Sequence, residues 1–488
     1  MCSIFDYALL LIISIIGVIG AVSVFRNAHR QIDTVTLFIS FLLLYHGAGA
    51  CFSFVFADPF FIDQLRSTYD IEKNDLARAC LALILFASVL AALRWRFREW
   101  VVISRKELDE IAAWSSRSKT FEIILAISTA IQLYVIKTGK MGFEGVLLDS
   151  TSVDVGMASP WALLSSWLCV ALAPACVFIM AARQRISAVL LLGALWNMGI
   201  VVMSGRRCFL SVAFLSMLPL FIFPFSNRMR ASFLVSGAAA AGAAMVLFFA
   251  LRLSMGDGQM ERTDFKNLFS NALNLFSNSG SSSYAKEQLV ANTTTRTFNL
   301  GYTSAIAKNA RIIGGANGLI LKYSSMGALP GFLFPQKYMF TLMGGEEAVA
   351  IDVLGLDDNG DENNSAVTAA MTDLGWFGLI AYASILFAVI AAAIWLVRKT
   401  KRSELGLVAV FYLCYTLTFI EAEFSNVFIS LRFIATLCVI GMIVVRFQYQ
   451  DDPNDLPAGL PRLTSIEPRQ RRTRPHRFRG TGFASRDS

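Results

Sequence analysis

The chain has 488 residues, of which 55% are hydrophobic and 16% are charged, and it carries a formal net charge of +8. Soluble domains contain about 45–50% apolar and about 25% charged residues. Their cores do not contain repeated apolar runs of about 20 residues, so the composition excludes a soluble protein and predicts an integral membrane protein.

Apolar runs recur along the chain, and we predict an all-α, polytopic transmembrane helical bundle of about 11 spans. The predicted spans are Tyr7–Phe25, Val35–Phe56, Leu76–Leu93, Thr120–Ile136, Trp161–Ala182, Ile186–Met203, Cys208–Phe225, Ala231–Leu251, Ala370–Val397, Glu404–Ile420 and Val427–Val445. They divide the chain into spans within residues 1–251, a loop domain at 252–367, further spans within 368–446 and a tail at 447–488.

Positive charges in the short connections predict how these spans are oriented, because Lys and Arg accumulate on the cytoplasmic side. The basic connections all follow odd-numbered spans, and they are Arg26–Arg30, Arg94–Arg98, Arg183–Arg185, Arg228–Arg230 and Arg398–Arg402. The alternate connection Ala57–Asp75 is net acidic. We therefore predict an N-terminus outside the cytoplasm and a C-terminus inside it.

Two basic or amphipathic stretches are predicted to lie at the inner membrane surface. The tail from Phe447 onwards is rich in Pro and Arg, which is typical of a disordered cytoplasmic segment attracted to anionic lipid heads. No aromatic platform accompanies its charge, so we expect no nucleic acid as a partner. The mixture of apolar and charged residues in Glu99–Lys119 predicts a helix lying on the membrane surface.

The long loop 252–367 is the one predicted extramembrane stretch large enough to be a domain, and the charge pattern places it outside the cytoplasm. Its apolar clusters, broken at Pro330 and Pro335, predict short helices that cover a cavity between the spans. Within this loop, Arg296 and Arg311 are candidate binding residues because semi-apolar stretches surround them. The other cations of the loop are interpreted as solvated.

A pair of arginines, Arg206 and Arg207, occupies a tight turn that the charge pattern places outside the cytoplasm. One interpretation is that they reach to lipid phosphates, which costs little for Arg near the end of a span. The alternative is a phosphate clamp, since the guanidinium fork matches phosphate oxygens. Gly205 favours the clamp slightly because it allows close approach to an anion.

Carboxylates at the outer mouths of spans are candidates for a general base, because such groups are costly at membrane depth and usually face a polar cavity. These are Asp373, Glu421 and Glu423. The run Asp357–Glu362 resembles a calcium loop only loosely, since it lacks the regular ligand spacing. The loop 252–367 contains no His, and no zinc-type cluster or nucleotide motif occurs, so we expect neither metal nor cofactor.

Outward arginines and carboxylates suggest transfer from a lipid-carried phosphate donor, in which Arg stabilises the leaving phosphate and a carboxylate deprotonates an acceptor hydroxyl. Four elements, in order along residues 200–380, resemble motifs of the oligosaccharide repeat-unit polymerases of the Wzy type, which build O-antigen, capsule and exopolysaccharide. They are Ser204–Arg207, Arg296 with Gly301 and Tyr302, Leu329–Lys337, and Ser365 with Asp373–Gly378.

The resemblance implies a GT-C-like fold and a metal-independent glycosyltransferase at the periplasmic face of a bacterial inner membrane. The enzyme would transfer a growing glycan from undecaprenyl pyrophosphate to a lipid-linked repeat unit, with a chain-length regulator as an optional partner. The resemblance also adds Tyr302 and Lys337 to the candidate binding residues. Gly331 stands where relatives often carry Arg, which leaves Lys337 as the cation of its stretch.

Two other classes stay open beside the polymerase. A ligase or other GT-C-type transferase would use the same donor, but such ligases usually keep a His in the outer loop. A flippase or secondary transporter tends to show internal repeats with paired broken helices, whereas one long insertion follows the predicted eighth span here.

Overall fold

The computed structural model describes residues 4–56, 74–117, 119–137, 160–203, 208–223, 235, 299–329, 346–355, 365–400, 403–420 and 424–448. The chain forms two units, Met1–Val445 and Arg446–Ser488, and the described residues of the second unit are the last turn of a helix.

The described residues are mostly helical, as predicted. In chain order, the helices are α1 (Ile4–Asn27), α2 (Thr34–Phe56), α3 (Asp75–Arg96), α4 (Arg98–Val101), α5 (Arg105–Arg117), α6 (Thr120–Lys137), α7 (Pro160–Ala182), α8 (Ala188–Met203), α9 (Cys208–Met217), α10 (Pro219–Ile222), α11 (Asn299–Asn309), α12 (Leu319–Gly327), α13 (Glu346–Leu354), α14 (Ala366–Leu374), α15 (Gly378–Thr400), α16 (Glu404–Thr418) and α17 (Ser425–Gln448). Two short strands, β1 (Gln31–Asp33) and β2 (Val102–Ser104), pair antiparallel.

Within the described residues, six helices are long and apolar enough to cross a membrane. Shorter apolar helices lie within α2, α8, α9–α10 and α16. Each predicted span except the eighth coincides with one helix or with two consecutive helices, and the eighth, Ala231–Leu251, lies outside the described residues apart from Val235. The chain is therefore an all-α membrane protein by length and composition, and the number of spans stays a prediction.

Two predicted spans are interrupted. The seventh breaks between α9 and α10, where Pro219 occupies the first turn of a new helix, a position that tolerates its missing N–H. The ninth consists of α14, a 3₁₀ turn at Gly375–Phe377 and α15. The segment predicted as one surface helix, Glu99–Lys119, instead contains β2 between two helices.

At one end of the Met1–Val445 unit, which we call the basic end, the connections that follow α1 and α3 are joined by the two strands. Ile32 lies opposite Ile103 in this ladder. Arg94 at the end of α3 forms an ion pair with Asp33, with Nε 2.5 Å from Oδ2. Both connections were predicted to lie on the same side of the membrane, and the structure brings them together.

Charges from later in the chain join the same end. Arg398, in the last turn of α15, donates to Glu107 Oε1 at 2.7 Å and to the carbonyl of Val102 at 2.9 Å. Arg105 donates to the carbonyl of Ile222 at the end of α10. The ends of α1, α3, α10 and α15 thus lie together at the basic end, and the side of the membrane on which they lie stays a prediction.

The opposite end, which we call the loop end, carries helices from the predicted loop domain. α11 packs on α2 and α3 and buries Leu300 and Ile306 in the common core. α12 and α13 pack against α14. The described helices of the loop are therefore docked on the spans, and they position the site described next.

Candidate functional site

The helix α12 begins without a cap of its own, because Gly318 at its N-cap has no side chain and lies at φ 87°. The cap comes from the end of α14. The amides of Ile320 and Leu321 each donate to one oxygen of Asp373, both at 3.2 Å. A carboxylate at this end of a helix satisfies its first amides and interacts favourably with the positive end of its dipole.

Asp373 is fully buried and accepts a third hydrogen bond, from the hydroxyl of Tyr382 at 2.6 Å. A buried carboxylate is costly unless hydrogen bonds compensate the lost water, and these three donors supply that compensation. A general base needs contact with the acceptor hydroxyl. The contacts of Asp373 favour an anchoring role, and its assignment as the base stays a prediction.

Backbone hydrogen bonds fasten the chain before α12 to the turn that follows Asp373. The amides of Trp376 and Phe377 donate to the carbonyls of Arg311 and Ile312, at 2.9 and 3.1 Å. The amide of Ala316 donates to the carbonyl of Thr372 at 3.1 Å. We call residues 311–321 together with 372–377 the clasp.

Two glycines allow the two chain segments of the clasp to approach this closely. A Cβ at Gly315 would collide with the carbonyl oxygen of Thr372, and one at Gly375 would collide with that of Arg311. Both glycines also have positive φ, 115° and 68°, where an L side chain is strained. Asp373–Gly375, part of the sequence element that resembles the polymerase motif, therefore forms a turn against which residues 311–316 pack.

The other end of α12 is held by Arg432, which is not among the residues predicted from the sequence. Its Nη1 donates to the carbonyls of Ala328 and Leu329, at 3.1 and 3.3 Å. Its guanidinium lies 6.0 Å from the ring centre of Trp167. A signal was present in the sequence, because a lone Arg inside the apolar run Val427–Val445 is costly and usually functional.

The helix α17 begins at Ser425, and Arg432 follows it by about 10 Å at 1.5 Å per residue. Arg432 therefore lies inside the predicted span and not at its end. α12 is thus bracketed by a carboxylate at its N-terminus and a guanidinium at its C-terminus, each sign matching the adjacent end of the helix dipole.

The helices that flank other candidate residues meet at the same end. Phe424, the neighbour of Glu423, packs on Tyr382 with ring centres 4.5 Å apart. Ser211 of α9, four residues after Arg207 in sequence, donates to the carbonyl of Thr418 at 3.2 Å. The helix that follows the arginine pair in sequence, α9, and the helices on either side of the two glutamates, α16 and α17, therefore lie at the same end as the clasp.

The site residues predicted from the sequence lie in different environments or outside the described residues. Arg311 belongs to the clasp and its side chain is exposed, whereas Tyr302 is buried in the core on α11. The remaining candidates lie outside the described residues, and they are Arg206, Arg207, Arg296, Lys337, Glu421 and Glu423. The roles of all of them stay predictions.

No group of three or more His, Cys, Asp or Glu that could hold a metal ion occurs among the described residues. The acidic run Asp357–Glu362 lies outside them. Comparison with protein-family models, with curated proteins and with solved structures finds no match to this chain.

Proposed function

We propose that the chain is a glycosyltransferase that polymerises oligosaccharide repeat units carried on a polyprenyl pyrophosphate, at the face of a bacterial inner membrane that corresponds to the loop end. The observation that carries the proposal is the convergence at this end of an intramembrane arginine, an exposed arginine and a docked loop helix. The predicted arginine turn and the two glutamates extend from helices that meet there.

The reaction breaks the bond between the anomeric carbon of the growing glycan and its pyrophosphate, and forms a bond from that carbon to a hydroxyl of the acceptor repeat unit. The leaving pyrophosphate gains an electron pair and negative charge. Arginines stabilise such charge well, because their fixed fork of donors pairs with phosphate oxygens. Arg206, Arg207, Arg311 and Arg432 are the residues we assign to this role.

The proton of the acceptor hydroxyl has to pass to a base, a step that contributes about 10²–10⁴-fold in rate. We assign this step to Glu421 or Glu423. Asp373 is a positioning residue in this scheme, because all three of its hydrogen bonds serve to hold α12 and Tyr382.

The decisive experiment is glycan profiling of a host strain from which the gene is deleted. We expect the polymer to disappear while a single lipid-linked repeat unit is retained on the loop-end face. Retention of normal polymer would refute the proposal. Polymer that accumulates without being attached to its final acceptor would indicate a ligase, and repeat units confined to the cytoplasmic face would indicate a flippase.

Arg432 offers a residue-level test in the complemented strain. Arg432→Gln should lower polymer formation at least tenfold, since it removes a charge at membrane depth. Arg432→Lys should keep only part of the activity, because an ammonium cannot form the same fork of hydrogen bonds. The matched control is Arg446→Gln at the other end of the same helix, which should retain full activity at an equal level of inserted protein.

A further inference from the structure

The tip of the clasp presents two large apolar side chains to its surroundings. Ile312 is 78% exposed and Ile313 is 74% exposed. Their backbone is fixed, because the carbonyl of Ile312 accepts from the amide of Phe377 at 3.1 Å. Water is a poor environment for a pair of isoleucines held in this way, and an exposed apolar cluster indicates a membrane or protein surface.

The pair adjoins an exposed apolar stripe that runs the length of α15. Phe377 and Ile380, at 54% and 42% exposure, begin the stripe, and Trp395 at 57% ends it. Between them the exposed residues are Ser384, Ala388 and Ala392, at the three- and four-residue spacing of one helical face. An apolar face of this length on a membrane helix is the face that contacts acyl chains.

The length of α15 gives the depth of the tip. Arg398 at the basic end is held by Glu107, which places the polar boundary at that point of the helix. From Gly378 to Val397 the helix rises about 30 Å, which equals the thickness of the hydrocarbon core. Phe377, and with it the isoleucine pair, therefore lies at the opposite boundary of the hydrocarbon.

We propose that Ile312 and Ile313 insert into the membrane leaflet at the loop end and anchor the clasp to its phospholipids. The occupant of this surface is acyl chain, because the pair continues the exposed stripe of α15 at the level where the hydrocarbon ends. The preceding Arg311 then lies at the level of the lipid head groups. This inference does not depend on the proposed enzymatic activity.

The test uses nitroxide labels at single introduced cysteines, with the full chain in vesicles of phosphatidylethanolamine and phosphatidylglycerol. Ile313→Cys is the test position. Ile380→Cys is the lipid-facing reference, and Asp352→Cys on α13, where the native side chain is charged and exposed, is the aqueous reference. The unsubstituted chain, with its eight cysteines, is labelled in parallel to subtract background.

We expect the label at Ile313→Cys to collide with oxygen as often as the Ile380→Cys label does, and to collide several-fold less often with a water-soluble nickel chelate than the Asp352→Cys label does. A label with the accessibility of the Asp352→Cys position would overturn the proposal. So would protection from both reagents, which would mean that a second copy or another protein covers the tip.

Discussion

The two ends of the bundle hold their charges in different ways. At the basic end, carboxylates meet guanidinium groups, as in the pairs Arg94–Asp33 and Arg398–Glu107. At the loop end, Asp373 binds only neutral donors among the described residues, and Arg432 donates to backbone carbonyls. Ion pairs join separate connections at the basic end. At the loop end a carboxylate and a guanidinium hold the two ends of one helix, and the ion pair of Arg78 with Asp75 joins neighbours within α3.

This difference has a consequence for function. An ion pair neutralises both of its members, so the basic end serves to join connections rather than to attract a charged ligand. At the loop end, the first amides of α12 and the hydroxyl of Tyr382 donate to Asp373, and the guanidinium of Arg432 donates to the carbonyls at the end of α12. These contacts position α12, and the arginines near it are the groups that the proposed function assigns to an anionic ligand such as pyrophosphate.

The largest effect is expected at Asp373, because its carboxylate holds the N-terminus of α12. Asp373→Asn replaces one accepting oxygen by a donor that faces a backbone amide. The variant should lose about 2–3 kcal/mol of stability, and residues 310–329 should become sensitive to limited proteolysis. Tyr382→Phe removes one of the three donors and should cost about 1 kcal/mol. Thermal unfolding of the purified protein in detergent measures both.

Asp352→Asn is the matched control, because Asp352 is exposed on α13 of the same loop, and it should change neither measurement. A result of a different kind would reassign Asp373. If Asp373→Asn keeps α12 protected from protease yet abolishes turnover, the residue is the base and not an anchor.

The next effect concerns the close contact inside the clasp. Gly315→Ala should cost about 2 kcal/mol, since the new Cβ is strained at positive φ and collides with the carbonyl of Thr372. Gly314→Ala is the matched variant. It has a similar φ of 106° but open space around the Cβ position, so it should cost only about 1 kcal/mol. Equal costs in thermal unfolding would show that the clasp has no tight contact at Gly315.

Much of the fold follows from the sequence, because the rule that predicts it is local. An apolar run of bilayer length has to be helical, since every backbone group must be satisfied within the segment. The side of each short connection is likewise predicted from its own Lys and Arg residues. The cluster around Arg398 at the basic end agrees with that expectation.

The candidate site is harder to predict from the sequence, because its contacts join residues far apart in the chain. Asp373 was chosen for its depth and its family position, but no sequence pattern indicates that it caps the helix that contains Ile320, 53 residues earlier. Arg432 was detectable from its apolar surroundings alone, although its partners at Ala328 and Leu329 were not.

The smallest effect is expected at the basic end and tests its dependence on pH. Burial alone would raise the pKa of Glu107, but hydrogen bonds from Ser104 and the charge of Arg398 hold that pKa below its ordinary value. A lowered pKa stabilises the fold fully above the ordinary value of about 4.3, and that stabilisation is lost as the pH falls through the lowered value.

Glu107→Gln should therefore cost about 1 kcal/mol at pH 7, the upper range for a pair that is partly exposed. The deficit relative to the unsubstituted chain should shrink as the pH falls below about 4. Asp109→Asn, which breaks a more exposed pair with Arg105, should cost less than half as much. Thermal unfolding at about pH 7, 5 and 3 measures the three proteins, so that the lowest pH lies within the range where the deficit should shrink. A Glu107→Gln deficit that stays constant across this range would mean that packing, and not the ion pair with Arg398, joins α15 to the connection after α3.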